Sequence, residues 1–384
     1  MVSIFIVAAE ASGDELGAKL VRSLTEARPK MKILGIGGQA MQREGIPSLM
    51  DISGLSILGF VEGLKHYPMI MQRVTACANE IMKSGAEAVV LIDSWGFMVR
   101  VAKRLRAQGY EGKIIKFVAP QVWAMRAGRA KILAKHVDLL LSIQPMDAPY
   151  FEAEGLETHY VGNPIFDMDY SVGSSEIFRT KHNLDDRPIV SIWFGSRLSE
   201  AEQLTSIFCA TVTALRFEYP ELAFVAPLSK SIAQDVKSRV EAFGNSHDFI
   251  FVSESDKLGA MAASTAALAC SGTVTSQLAS VGVPTVVAYR LNALTHWVAK
   301  RLFKPDYISI VNIVAGQPLM PEYIQSEANG SNLSTALIQY LQDEDAQKRA
   351  SEALIDQTRK MGAVSGQKAS EKAARIILTA LKLY

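Results

Sequence analysis

Asp93 closes a very apolar run, Ala88-Val-Val-Leu-Ile-Asp93, and leads into Ser94-Trp95-Gly96-Phe97. A carboxylate at the carboxyl end of a buried strand stands where ligands bind in open α/β sheets, and there it can act as a general base. The plainer reading is the cap of a helix over 94–106. Ahead of it, Ala9-Glu10-Ala11-Ser12-Gly13-Asp14 follows the first apolar run and opens the first helical stretch. Small residues there let another molecule approach the backbone, and helix N-terminal amides favour an anion or a polar ligand. An ordinary turn capped by Ser12 fits the pattern equally well.

Phe194-Gly195-Ser196-Arg197-Leu-Ser-Glu200 repeats this placement in the second half of the chain. A glycine-serine turn at a helix entrance, carrying an arginine, is suited to a phosphate. Ser271-Gly272-Thr273-Val274-Thr275 offers amides and hydroxyls to the same anion. Pro120-Gln-Val-Trp-Ala-Met-Arg126-Ala-Gly-Arg129 joins an aromatic to two cations, suited to phosphate, a membrane interface or a solvated face. The histidines (66, 136, 159, 182, 247 and 296) form no metal-ligand pair, and neither G-x-S-x-G nor G-x-G-x-x-G occurs. No metal or cofactor is expected. Cys77, Cys209 and Cys270 stand far apart, which fits a reduced compartment.

The elements that must hold these residues alternate between apolar runs and helical periods. Strands are expected at 2–8, 32–36, 88–93, 113–119 and 137–143, with helices between them such as 13–27, 69–83 and 99–108. The pattern pauses over the polar stretch 167–186, a linker candidate, and resumes with strands at 189–193, 222–226, 249–252, 266–269 and 285–289. Fully apolar strands separated by helices describe parallel sheets covered on both faces. The expected architecture is α/β: two Rossmann-like halves, 1–168 and 185–365, with the chemistry in a cleft between them. A C-terminal helix within 368–384 would pack back on one half. With 384 residues, 49% of them hydrophobic, the chain has material for two cores. A net charge of +1 gives no general field for a nucleic acid, so no such partner is expected. The apolar start runs directly into Glu10 and Asp14 and reads as a buried strand rather than a signal peptide. No apolar run is long enough to span a bilayer.

Taken in order, several stretches resemble the lipid-A-disaccharide synthase family, inverting glycosyltransferases of GT-B type. In the first half they are Glu10–Asp14, Gly37–Gly45, Leu58–Glu62, Ile92-Asp93-Ser94, Arg100–Arg104 and Pro120–Ala124. In the second they are Gly195-Ser196-Arg197 with Glu200, Ser271-Gly272-Thr273, Pro284 with Val286–Arg290, Asn312, and Pro321-Glu322 with Gln325. The resemblance implies transfer of 2,3-diacylglucosamine from its UDP form to 2,3-diacylglucosamine 1-phosphate, giving a β-1,6 disaccharide and UDP. It implies Asp93 as base, with Glu10 and Ser12 as further catalytic candidates. Arg197 would meet the departing UDP, and Gly195, Ser196, Ser271, Gly272, Thr273, Gln277, Asn312, Glu322 and Gln325 would bind substrate. No Asp-x-Asp pair stands in a turn expected to face the cleft, in keeping with metal-independent transfer.

The chain departs from the family pattern at five places. Gln277 stands where glutamate is usual, Trp95-Gly96 where Pro-Asp is usual, Phe194 for proline, Asn163 for histidine and Ala9 for glycine. Two other readings stay open: an enzyme like the UDP-GlcNAc 2-epimerases, which share the scaffold, and a relative that binds UDP-sugar or lipid without turnover. Acylated substrates imply a peripheral place on the cytoplasmic face of the inner membrane, with a homodimer left open. The segment 55–71, with Leu58, Phe60 and Met69 among Lys65 and His66, suits an interfacial element, or else a buried helix.

Overall fold

The computed structural model describes residues 2–51, 67–292, 296, 301–362 and 367–383. The chain divides into two units, Met1–Asp167 with Gly362–Tyr384, and Met168–Met361. Each carries one six-stranded parallel sheet.

In the first unit the strands are β1 (Ser3–Ala8), β2 (Lys32–Ile36), β3 (Ala88–Ile92), β4 (Lys113–Phe117), β5 (Leu139–Ser142) and β6 (Thr158–Tyr160). Their order is β2-β1-β3-β4-β5-β6. Alternate side chains serve opposite faces. Phe5, Val7, Val89 and Leu91 pack with Val74, Cys77 and Ile81 of the helix Tyr67–Ser84 and with Met98, Val101 and Leu105 of the helix Trp95–Ala107. Ile4, Ile6, Val90 and Ile92 face Leu16, Leu20 and Leu24 of the helix Ala11–Ala27 and Ala373, Ile377 and Leu378 of the helix Ala369–Ala380. Burying such a side chain contributes on the order of 1.5–3 kcal/mol. The C-terminal helix is thus a structural layer of the first unit. Its entry is pinned where the Ala369 amide donates to Asp167 Oδ2 at 2.6 Å. Nearby, Gly162 has φ +94°, and a Cβ there would run into the Gly362 carbonyl.

The second unit holds β7 (Ile189–Trp193), β8 (Ala223–Leu228), β9 (Phe249–Ser253), β10 (Ala266–Cys270), β11 (Thr285–Tyr289) and β12 (Glu322–Ile324). Their order is β12-β11-β10-β7-β8-β9. One face packs on the helix Leu198–Glu218 through Leu204, Phe208, Val212 and Leu215. The opposite face carries two smaller apolar clusters, around Phe178 and around Met261.

In both sheets the chain winds outward one way and then crosses to wind the other. The reversal falls between β1 and β3 in the first unit and between β7 and β10 in the second. Loops leaving such a strand pair diverge and open a crevice at the carboxyl edge, the usual ligand position of doubly wound sheets.

The structure departs from the sequence reading at particular places. Residues 175–182, expected in a linker, form a helix capped by the Ser174 hydroxyl and packed through Phe178 against Gly259. A single buried side chain gives a helix no visible period. The three-residue edge strands β6 and β12 also escape notice, because Thr-His-Tyr and Glu-Tyr-Ile are too short and polar to read as apolar runs. Of the expected interfacial segment, Leu58 and Phe60 lie outside the described residues. Met69 is half-buried in the first turn of the helix Tyr67–Ser84. No helix among the described residues is long and apolar enough to cross a membrane.

Candidate active site

At the β1/β3 reversal the chain is bent hard. Asp93 and Ser94 adopt φ of +51° and +35°, a left-handed stretch costly for residues with a Cβ. The bend starts the helix Trp95–Ala107, whose first amides, those of Phe97 and Met98, donate to the Ser94 carbonyl. The Asp93 amide donates to the Phe117 carbonyl of β4 at 2.9 Å. Its carboxylate is partly open to solvent and accepts from Ser12 Oγ at 3.5 Å. Glu10 precedes the helix Ala11–Ala27 on the neighbouring loop. Asp14, from the same motif, is buried and accepts the amides of Gly38, Ala40 and Met41 at 2.7, 2.8 and 3.2 Å, so its task is to fasten the turn after β2. Glycine is required at 38, because a Cβ would strike the Asp14 carboxylate.

The Pro120–Arg129 motif resolves into a braced turn. Arg129 lies over the Trp95 ring, 5.2 Å from its centroid. Trp123 donates from Nε1 to Asp147 Oδ1 at 3.1 Å. Burial pushes the Asp147 carboxyl up to about 7, against the opposing effect of hydrogen bonds from Trp123 and the Gln144 backbone. The folded chain therefore holds this proton more tightly than the unfolded chain, and stability from this group is lost as pH rises from about 4 to about 7. Asp147→Asn keeps an acceptor for Trp123 and removes the titration. It should raise the melting temperature at pH 8 and change it little at pH 4, read by scanning calorimetry across that range. A difference independent of pH would show that the carboxylate is already compensated.

At the β7/β10 reversal, Gly195, Ser196, Arg197, Ser271, Gly272, Thr273 and Gln277 line one cavity of about 380 Å³. Gly195 has φ +89°, and a Cβ there would collide with the Glu200 carboxylate. Glu200 Oε2 accepts the Ser196 and Arg197 amides at 3.3 and 3.4 Å, and Oε1 accepts from the Arg197 guanidinium at 2.7 Å. The turn is thus held by its own glutamate, while the Arg197 side chain stays 76% exposed and within reach of a ligand. Thr275 Oγ1 donates to the Gly272 carbonyl at 2.7 Å and tightens the start of the helix Thr273–Ser280. Gln277 is buried and hydrogen-bonds Tyr170, whose hydroxyl burial pushes up to about 12. Ser229, Glu254 and Lys257 also line the cavity, and the sequence reading passes over all three. Their only signal was position, just past the apolar runs of β8 and β9.

Asn312, Glu322 and Gln325 are engaged with the protein itself. Glu322 accepts the Ile308 and Ser309 amides at 2.7 and 2.9 Å and Asn312 Nδ2 at 2.8 Å. Asn312, fully buried, also bonds the Met320 carbonyl and amide. Gln325 closes a two-bond bridge to the Leu291 backbone at 2.7 and 3.1 Å. These side chains brace the loops that follow β11. Among the described residues no cluster of His, Cys, Asp and Glu could hold a metal ion.

A family model described as lipid-A-disaccharide synthetase matches residues 4–377. The chain is 36% identical over 361 residues to the lipid-A-disaccharide synthase of Rhodospirillum centenum, covering 94% of this chain and 90% of that one. It is 35% identical over 379 residues to that of Paramagnetospirillum magneticum, covering 98% and 96%. Among solved structures, a co-structure of S. aureus MnaA with UDP superposes with a TM-score of 0.68 at 16% identity, covering 100% of this chain and 98% of that one. A glycosyltransferase from Rickettsia africae gives 0.63 at 12% identity, covering 100% and 99%. At those identities the two structures speak for the fold, which is of GT-B type.

Proposed function

The chain belongs to the lipid-A-disaccharide synthase family, and from that premise we propose how a glycosyltransferase of lipid A synthesis works with these residues. The donor is the UDP form of 2,3-diacylglucosamine and the acceptor is 2,3-diacylglucosamine 1-phosphate. Asp93 takes the proton of the acceptor 6-hydroxyl as that oxygen attacks the anomeric carbon of the donor. The bond from that carbon to the diphosphate breaks with inversion, and UDP leaves carrying the electron pair. Ser12 steadies the Asp93 carboxylate. In the second unit, Arg197 and the Ser271-Gly272-Thr273 turn meet the diphosphate, whose charge grows as the bond breaks. Gln277 and Lys257 line the same nucleotide cavity.

One observation supports the reading: in each sheet the residues assigned to the base and to the diphosphate leave the two strands that flank the reversal of winding. Chance placement of unrelated turns has no reason to select that pair twice. The test is transfer from the UDP-diacyl donor to a phosphate-labelled acceptor, with disaccharide and UDP formed one to one. UDP binding without product would assign the chain to non-catalytic relatives, and an altered donor sugar without transfer would assign it to epimerase chemistry.

Both substrates carry acyl chains, so the enzyme works peripherally at the inner membrane's cytoplasmic face. Replacing Leu58, Phe60 and Met69 together by Ser is expected to release the protein from anionic liposomes at low salt with little change in melting temperature. Unfolding of the variant, or wild-type protein that never binds liposomes, would count against the segment as the membrane element.

A further inference from the structure

Lys116 is the only buried lysine or arginine among the described residues, at 1% exposure. It sits inside β4, in register with Leu91 of β3 and Leu140 of β5, where an apolar side chain would be the ordinary occupant. Burying an ammonium costs several kcal/mol unless hydrogen bonds and charge offset it. Its Nζ donates to the Phe117 carbonyl at 2.9 Å and to the Val118 carbonyl at 2.8 Å. The Phe117 oxygen is the same acceptor that receives the Asp93 amide. Val118 has φ +73°, a strained conformation for a β-branched residue, so the lysine ties down a bend that would otherwise relax. Those two bonds use two of the three ammonium protons. Asp93 and Glu10 are the charges that favour its protonation, and the ladder neighbours Leu91 and Leu140 bring none.

We propose that Lys116 is a positioning residue for the reaction: it fixes the Phe117–Val118 bend on which the Asp93 backbone hangs. The proposal rests on Asp93 being the base. Burial drives the Lys116 ammonium down to about 7, against the pull of Asp93 and Glu10, so its charge is present on the acid side of neutrality.

The test compares wild type, Lys116→Met, Asp93→Asn and the double variant in the transfer assay across pH 5–9. Lys116→Met is expected to lower kcat by ~10–100-fold, the scale of a misplaced reacting group. The donor KM should change little, so the loss falls on kcat. In the Asp93→Asn background the same change should cost almost nothing, since the residue acts through Asp93. An unchanged kcat, a loss that appears in KM instead, or an equal loss in both backgrounds overturns the proposal. Lys116→Gln serves as the second variant, and failure of both to fold makes the lysine purely structural and also overturns it. If Asp93→Asn alone turns over like wild type, the base assignment falls and this proposal with it, an outcome separable from failure of Lys116 alone.

Discussion

Replacing Asp93 by Asn should lower kcat by ~10²–10⁴, the range for loss of a general base, with the fold intact. The amide is isosteric with the acid and still offers an oxygen to Ser12, the only hydrogen-bond partner of that carboxylate among the described residues. The backbone bond from Asp93 to Phe117 does not involve the side chain, so the bend at φ +51° survives the change. A melting temperature near wild type combined with a collapsed rate would therefore isolate the chemistry. Near-normal turnover would move the role to another carboxylate, Glu10 first and then Glu62, which lies outside the described residues.

Arg197→Ala should produce the second large effect, a fall of ~10²–10³ in transfer rate, with UDP affinity weakened less than the rate. The difference arises because a cation at the diphosphate gains strength as negative charge accumulates on the leaving oxygen. Folding should be little affected, since the guanidinium is largely exposed and the largely buried Glu200 keeps its bonds to the Ser196 and Arg197 amides. Lys at this position keeps the charge and loses the planar fork, and it should fall between the two. Steady-state transfer together with calorimetric UDP titration reads both quantities. If neither moves, the nucleotide does not use the Gly195-Ser196-Arg197 turn.

Much of this architecture is legible in the sequence because strands buried on both faces must be apolar throughout. Ile189–Trp193 and Thr285–Tyr289 therefore fall where the apolar runs place them. The three-residue edge strands β6 and β12 bury too little to carry that mark, and the helix Ser175–His182 shows only Phe178. Strand order is a property of the whole sheet, so nothing local in the sequence says that the Asp93 and Glu10 loops leave neighbouring strands. Asn312, Glu322 and Gln325 show a related limit. A polar residue beside a site looks the same in sequence whether it faces a ligand or a backbone amide, and here all three hydrogen-bond the loops after β11. Lys116 is the converse case: the sequence reading passes over it within Lys113-Ile-Ile-Lys-Phe117, while the structure places it at 1% exposure.

The return of the chain to its first unit at Gly362 sets a timetable for biogenesis. On the ribosome, β1 to β6 emerge early, but the helix that covers Ile4, Ile6 and Val90 follows some two hundred residues later. At bacterial elongation rates that delay is roughly 10–40 s. Throughout it, one apolar face of a nascent sheet waits partly bare while the whole second unit is made and folds. A chain stopped anywhere in the second half lacks that helix, so its first unit is expected to aggregate more readily than the full chain.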